Sequence, residues 1–328
     1  MTTIEDPFDR IDALLVSAIP RFRRRFLELV QQLRNERTIT ELANLLAAGR
    51  FDEALVNAEL AAINLHSAFA GTFILSAEDT ADFLADSLQA FVNFDVTNQR
   101  AVDAMRRNQL RLVREFTEGQ RLATRTALLD GIARGLNPRQ QALLFRQSIG
   151  LTRTQAQAVM NYRKLLEDLN ADALTRQLRD RRFDRTVQRA ISQGDPLLAE
   201  QIDRMVDRYA QRQLAFRAET IALTESLASV HEGVDEMYRQ AVDQGLMDPG
   251  DLAQVWHTRG DGRVRDHHAS MSNQVRQVGE PFVSGLGNRL RFPGDPAAPA
   301  RDRIRCRCIK TTQFTVDLPA ELQEQLFA

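Results

Sequence analysis

The chain's two cysteines, Cys306 and Cys308, stand one residue apart in RIRCRC (303–308), interleaved with arginines. Upstream, WHTRGDGRVRDHH (256–268) supplies His257, His267 and His268 together with Asp261. Thiolate and imidazole suit zinc, and a Cys-x-Cys pair joined by one or two histidines completes a tetrahedral site. Two other readings stay open. Positive neighbours depress a thiol pKa and produce a nucleophile, and free cysteines also serve as small buried hydrophobes. A Cys306–Cys308 disulfide is disfavoured. Residues two apart on an extended strand have Cα atoms about 6.5 Å apart, near the upper limit for a bridge. Histidines beside acids can also activate a metal-bound water, so a metal-dependent nuclease or other hydrolase built from His267, His268, Asp261 and the thiols is the alternative function. No substrate pocket is identifiable from these residues, and no small-molecule substrate is expected.

The element expected to carry the thiols is a strand, RIRCRCIKTTQFTV (303–316). Alternation puts Ile304, Cys306, Cys308, Thr312, Phe314 and Val316 on one face and Arg303, Arg305 and Arg307 on the other. The thiols then point inward, and an outward guanidinium row is available for nucleic-acid phosphates. Trp256, the sole tryptophan, reads as the core plug of a small domain. PGDP (293–296) has turn chemistry, with Asp295 as a turn cap.

Before this region the chain reads as helix after helix to about residue 247. In GLTRTQAQAVMNYRKLLED, Thr152 and Gln155 form a capping box, and Ala158, Val159, Tyr162, Leu165 and Leu166 line one face. Phe183, Val187, Ala190 and Ile191 repeat the pattern. In GDPLLAEQIDRMVDRY, Asp195 is the expected N-cap and Pro196 the first helical residue. Leu198, Ile202, Met205, Val206 and Tyr209 form the stripe. From GLMDPGD onward, glycines and prolines mark turns with short strands between them. The fold expected is mainly α: a multi-helix N-terminal and central body with a small C-terminal α+β module of short strands and turns. The divisions are an N-terminal helical region (1–140), a central helical region (141–247), a small basic module (248–316) and a C-terminal tail (317–328) that reads as a terminal helix.

The net charge is −1, but it is unevenly placed. Residues 253–311 hold ten arginines and one lysine against five acids. A basic module on a mildly acidic body fits an acidic partner, nucleic acid or protein. Lys164 and Lys310 are the only lysines. The start, MTTIEDPFDRIDALL, lacks the basic region and apolar run of a secretory leader. The most apolar window, AFAGTFIL (68–75), is far below the ~20 residues that span a bilayer. No membrane association is expected, and two cysteines fit folding in a reducing cytoplasm.

VWHTRGDGRVRDHHASM, PFVSG, RFPGDP and RIRCRCI, in that order, resemble the C-terminal module of phage head morphogenesis proteins, the Mu F-like minor capsid family. The match falls on Trp256, Thr258, Asp261, Arg263, Val264, Arg265 and His268, then on Pro293, Gly294, Asp295, Pro296, Cys306, Arg307 and Cys308. The preceding RAETIALTESLASVHEG (217–233) resembles the family's R-A-x-x-I-A-x-T-E helix. The resemblance runs over about residues 140–311. Where some members carry Cys-x-x-Cys, this chain has Arg265-x-x-His268. Arg305 stands where Asn is common before C-R-C. The resemblance implies a non-enzymatic minor capsid protein of a tailed-phage virion, made in the host cytoplasm. Its site would be the head near the portal vertex. Its partners would be the portal protein, the major capsid or scaffold protein, and packaged double-stranded DNA. Zinc is the one cofactor considered.

Glu225 falls on the apolar side of its helix, four residues after Ile221, where a carboxylate needs a partner. The expected partner is Arg263 or Arg265, clamping helix to module.

Overall fold

The computed structural model describes residues 7–50, 53 and 58–327. The fold is mainly α-helical. Helices α1 (Pro7–Asn35), α2 (Ile39–Ala47), α3 (Ala58–Leu88), α4 (Gln99–Ala133), α5 (Pro138–Ser148), α6 (Arg153–Glu167), α7 (Asp184–Gln193) and α8 (Ala199–Asp243) come first. The C-terminal region then alternates short elements: β1 (Leu252–His257), α9 (Asp266–Ala269), β2 (Val275–Gln277), β3 (Phe282–Val283), β4 (Arg289–Leu290), α10 (Ala300–Arg303), β5 (Ile309–Phe314) and α11 (Ala320–Phe327). The change of character falls where the glycines and prolines thicken, near residue 248.

The chain forms two compact units that are not successive stretches of sequence. One comprises residues 1–25, 65–110 and 220–328; the other, 26–64 and 111–219. Helices α1, α3, α4 and α8 contribute residues to both.

In the second unit the helix signals hold where a cap defines them. Thr152 and Gln155 exchange the expected bonds at the start of α6, and Val159, Tyr162 and Leu166 are buried. Asn137 and Gln140 do the same for α5. Tyr162 stacks on Tyr209 with ring centroids 4.5 Å apart. Helix α8 starts later than the Asp195–Pro196 signal suggests. Its first helical residue is Ala199, and Gln201 Oε1 accepts the Leu198 backbone N–H at 3.0 Å. Leu198 is therefore exposed, while Ile202, Met205, Val206 and Tyr209 keep the buried stripe. Arg217, first residue of the R-A-x-x-I-A-x-T-E match, donates to the Gly150 carbonyl at 2.9 Å. Its guanidinium lies 5.5 Å from the centroids of Phe26 and Phe116.

In the first unit, β2, β1 and β5 form an antiparallel sheet in that order, and β3 pairs with β4. The register sets Trp256 beside Lys310 and Gln254 beside Thr312. Pleating puts these four side chains on one face, toward α8. Tyr238 on α8 donates to the Thr312 carbonyl at 2.9 Å. The opposite face, with Ala253, Val255 and Val275, is covered by Leu318, Leu322 and Leu326 around α11. The C-terminal helix thus docks on the sheet. With both faces covered, β1 reads as a continuous buried run.

The C-terminal half of α8 is buried nearly all round, polar side chains included. Gly233 is where α3 passes: a Cβ there would sit 2.3 Å from the Phe73 carbonyl oxygen. Glu232 accepts from Asn108 at 3.0 Å and lies 3.5 Å from Arg291. The Lys310 ammonium, fully buried, is bonded to Asp235. His231, stacked on Phe292, is held well below the ordinary histidine range by burial and by Lys310. Lys310 itself is lowered by burial, against the pull of Asp235.

Candidate metal centre

The thiols are not on a strand. Residues 300–303 form the short helix α10, Arg305 takes a left-handed φ of 55°, and β5 begins only at Ile309. The strand expected from residue 303 is corrected to 309–314. The alternating row of Arg303, Arg305 and Arg307 goes with it, because a left-handed residue breaks the two-residue period. The backbone N–H of Arg305 donates to Thr224 Oγ1 at 3.1 Å, and its guanidinium donates to Thr220 Oγ1 at 3.0 Å. Arg307 bonds to Asp261. Arg303 is half-buried.

The bend turns both sulfurs to one point. Cys306 Sγ lies 3.5 Å and Cys308 Sγ 3.7 Å from Nδ1 of His268, and all three residues are buried. At a tetrahedral zinc, bonds of about 2.3 Å to sulfur and about 2.0–2.1 Å to nitrogen leave those atoms roughly 3.6 Å apart. The spacing therefore fits one metal ion between the three atoms, and these residues could hold one. His268 is delivered by α9. Gly285 lets the loop after β3 press on that turn, since a Cβ there would sit 2.9 Å from Ser270 Oγ and 3.1 Å from His267 Cα. Trp256 meets the His268 ring edge-on at 5.8 Å and packs on Phe282, filling the core behind the site.

The other side of His268 faces Asp302. Its Nε2 and that of His267 each lie 3.4 Å from Asp302 Oδ1, while Asn288 donates to Oδ2 at 2.8 Å. Asp302 is fully buried. A carboxylate facing the far nitrogen stands where the outer partner of a metal-ligating histidine stands, with Nδ1 turned to the thiols. Sequence reasoning missed Asp302. The available signal was its place as the lone acid in the arginine run 301–307. His267 belongs to this outer layer and does not reach the thiols. His257 is elsewhere, 2.8 Å from Thr311 Oγ1.

The two thiols titrate unequally. The hydrogen bond between them holds Cys308 below the ordinary thiol range, against its burial, with His268 and Trp256 adding to the effect. That bond and burial push Cys306 well up.

The remaining expected residues sit around this centre. Asp295 accepts the backbone N–H groups of Arg291 and Ala297 and pairs with the Arg291 guanidinium, so it caps the turn of PGDP. Gly294 there has φ 83° and packs on Leu227 and Ala228 of α8. Pro293 is buried in the same turn. Glu225 is buried on α8. Arg265 donates to the carbonyls of Asp302 and Ile304, and Arg263 is exposed. Near Glu225 on α8, Thr224 Oγ1 accepts the Arg305 backbone N–H and Thr220 Oγ1 accepts from its guanidinium.

Among known proteins, the chain is 30% identical over 96 residues to an uncharacterised protein, YqbB, of Bacillus subtilis. The match covers 28% of this chain and 29% of that protein. No family model and no solved structure matches the chain. Among the described residues, no helix is long and apolar enough to cross a membrane.

Proposed function

We propose that this chain is a non-enzymatic minor capsid protein of a tailed-phage head, acting at the portal vertex during assembly, with a zinc ion stapling its C-terminal module. One observation supports this reading above others. The separate motifs of the head-morphogenesis resemblance converge on a single packed centre: Trp256, His268 and Cys306–Cys308 at its core, PGDP against α8, and Thr224 of the helix motif capping Arg305. Zinc suits the ligands because two thiolates and an imidazole at tetrahedral spacing select a borderline-soft ion. The helical body supplies contact surface for portal, capsid or scaffold protein. It includes an open cleft of about 1020 Å³ in the second unit, lined by Leu136, Leu143, Phe183 and Ile202 and rimmed with charge. Duplex DNA would be met through exposed arginines such as Arg263, Arg289 and Arg301. Arg303, Arg305 and Arg307 contribute less in this reading, because Arg305 and Arg307 have partners within the protein.

Co-expression with the portal protein of the phage or prophage that encodes the chain tests the proposal. Co-elution at a mass above either component is expected, and separate elution of two folded proteins would sink it. A hydrolytic reading draws on one feature, that three protein ligands leave a fourth metal position for water. Plasmid nicking that disappears with chelator would favour it.

A further inference from the structure

Beside the thiols lies a small cavity of about 60 Å³, lined by Arg259, Arg263, Arg265, Arg305 and Arg307 together with Cys306, Cys308 and His268. We propose that this cavity binds one tetrahedral oxyanion, a phosphate group, at the open corner of the metal centre.

Its size fits. At roughly 10–15 Å³ per water-sized group, it holds about four to six such groups, a range that includes the heavy-atom count of phosphate. Its chemistry fits as well. Five arginines line one small space, and the guanidinium group is a planar, bidentate donor matched to phosphate oxygens. The structure holds them in place beforehand. Arg259 donates to the Arg307 carbonyl at 3.1 Å and pairs with Asp12; Arg307 pairs with Asp261. Arg265 donates to two backbone carbonyls, which fix its direction while leaving its charge unmatched by those bonds. A guanidinium has five N–H donors, so these anchors do not exhaust Arg259, Arg265 or Arg307.

The inference rests on the metal reading in one respect. A bound dication would add positive charge at the cavity wall and offer its fourth position to an oxygen. Two sources share this chemistry: free inorganic phosphate and the terminal phosphate of a nucleic-acid strand. A cavity this small accepts a single group, not a duplex backbone.

The test is isothermal titration of inorganic phosphate into the full zinc-containing chain, with zinc measured in the same sample. One site per chain is expected, with at least tenfold weaker binding in Arg263→Ala. Arg263 is exposed, so that variant should fold; its far-UV circular dichroism and melting temperature check that it does. Loss of binding on chelation, restored by added zinc, is the further expected result. A zinc-loaded chain that takes up no phosphate overturns the subsite and leaves the metal centre standing. A folded chain that holds no zinc even when zinc is added overturns the metal reading. Phosphate binding by that chain, weakened by Arg263→Ala, would then keep the arginine site and remove the metal from it. A 5′-phosphorylated oligonucleotide that displaces phosphate, when its 5′-hydroxyl counterpart does not, identifies a strand end as the ligand. Failure of both strands identifies free phosphate.

Discussion

Replacing Lys310 with Met should be among the most damaging single changes in the C-terminal region. Lys310 is fully buried, and Asp235, its partner on α8, is 7% exposed. Gln254 offers that carboxylate a long contact of 3.5 Å, and Glu232 and Glu236 are buried on the same helix. Removing the ammonium leaves the Asp235 carboxylate without its direct partner in a low-dielectric space, where Arg291 and Arg239 act on it only from farther off and Glu232 and Glu236 engage Arg291 and Arg100. Breaking one side of such a pair costs about 3–5 kcal/mol. For a unit of this size that is a fall in melting temperature on the order of 10 °C. Trp256 is the only tryptophan and lies in the same unit, so its fluorescence reports unfolding around Lys310. Lys310→Met with Asp235→Leu removes both charges and should recover most of the loss, since a buried pair exchanged for apolar groups is often neutral. A single variant within about 1 kcal/mol of the parent, the scale of an exposed pair, would refute the reasoning. So would a double variant no better than the single one.

Three further outcomes follow from the same geometry. Asp302→Asn should weaken zinc binding about 10–100-fold by loosening His268, measured by competition with a chromophoric chelator, whereas the exposed Asp261→Asn should not. An amine-reactive reagent should modify Lys164 and spare Lys310 until the chain unfolds, as peptide mass spectrometry would record; early Lys310 labelling would contradict its burial. Burial alone would raise Asp295, but Arg291 and two backbone N–H groups outweigh it and hold the carboxyl below its ordinary value. Its stabilisation is therefore present above about pH 4 and is lost as pH falls through the lower folded value. Asp295→Asn should melt lower at neutral pH and show a flatter acid limb.

Local signals were legible where a few neighbouring residues decide the structure. The Thr152–Gln155 box, the buried stripe from Ile202 to Tyr209, the change near residue 248 and the burial of Trp256 all depend on spacing or size. Pro196 misled because a proline that suits a first helical turn also suits an extended lead-in, and here the helix starts three residues later at Ala199, with Gln201 accepting the Leu198 N–H. The RCRC segment hid its bend. Arg305 is not a residue type that advertises a left-handed φ, and Thr224, which receives its N–H, lies far away in sequence. The union of His268 with Cys306 and Cys308 could be listed as a possibility from composition, but the choice among three histidines needed the fold. Asp302 and the Lys310–Asp235 pair were invisible for the same reason: a charged residue reads as solvent-facing until its burial and partner are known.

Zinc content of the freshly purified chain, prepared without chelator and set beside a Cys306→Ser/Cys308→Ser variant, bears most directly on the centre described here. Close to one zinc per parent chain and none in the variant is the expected result. A parent chain that is folded, holds reduced thiols and carries no zinc after incubation with the ion would contradict it.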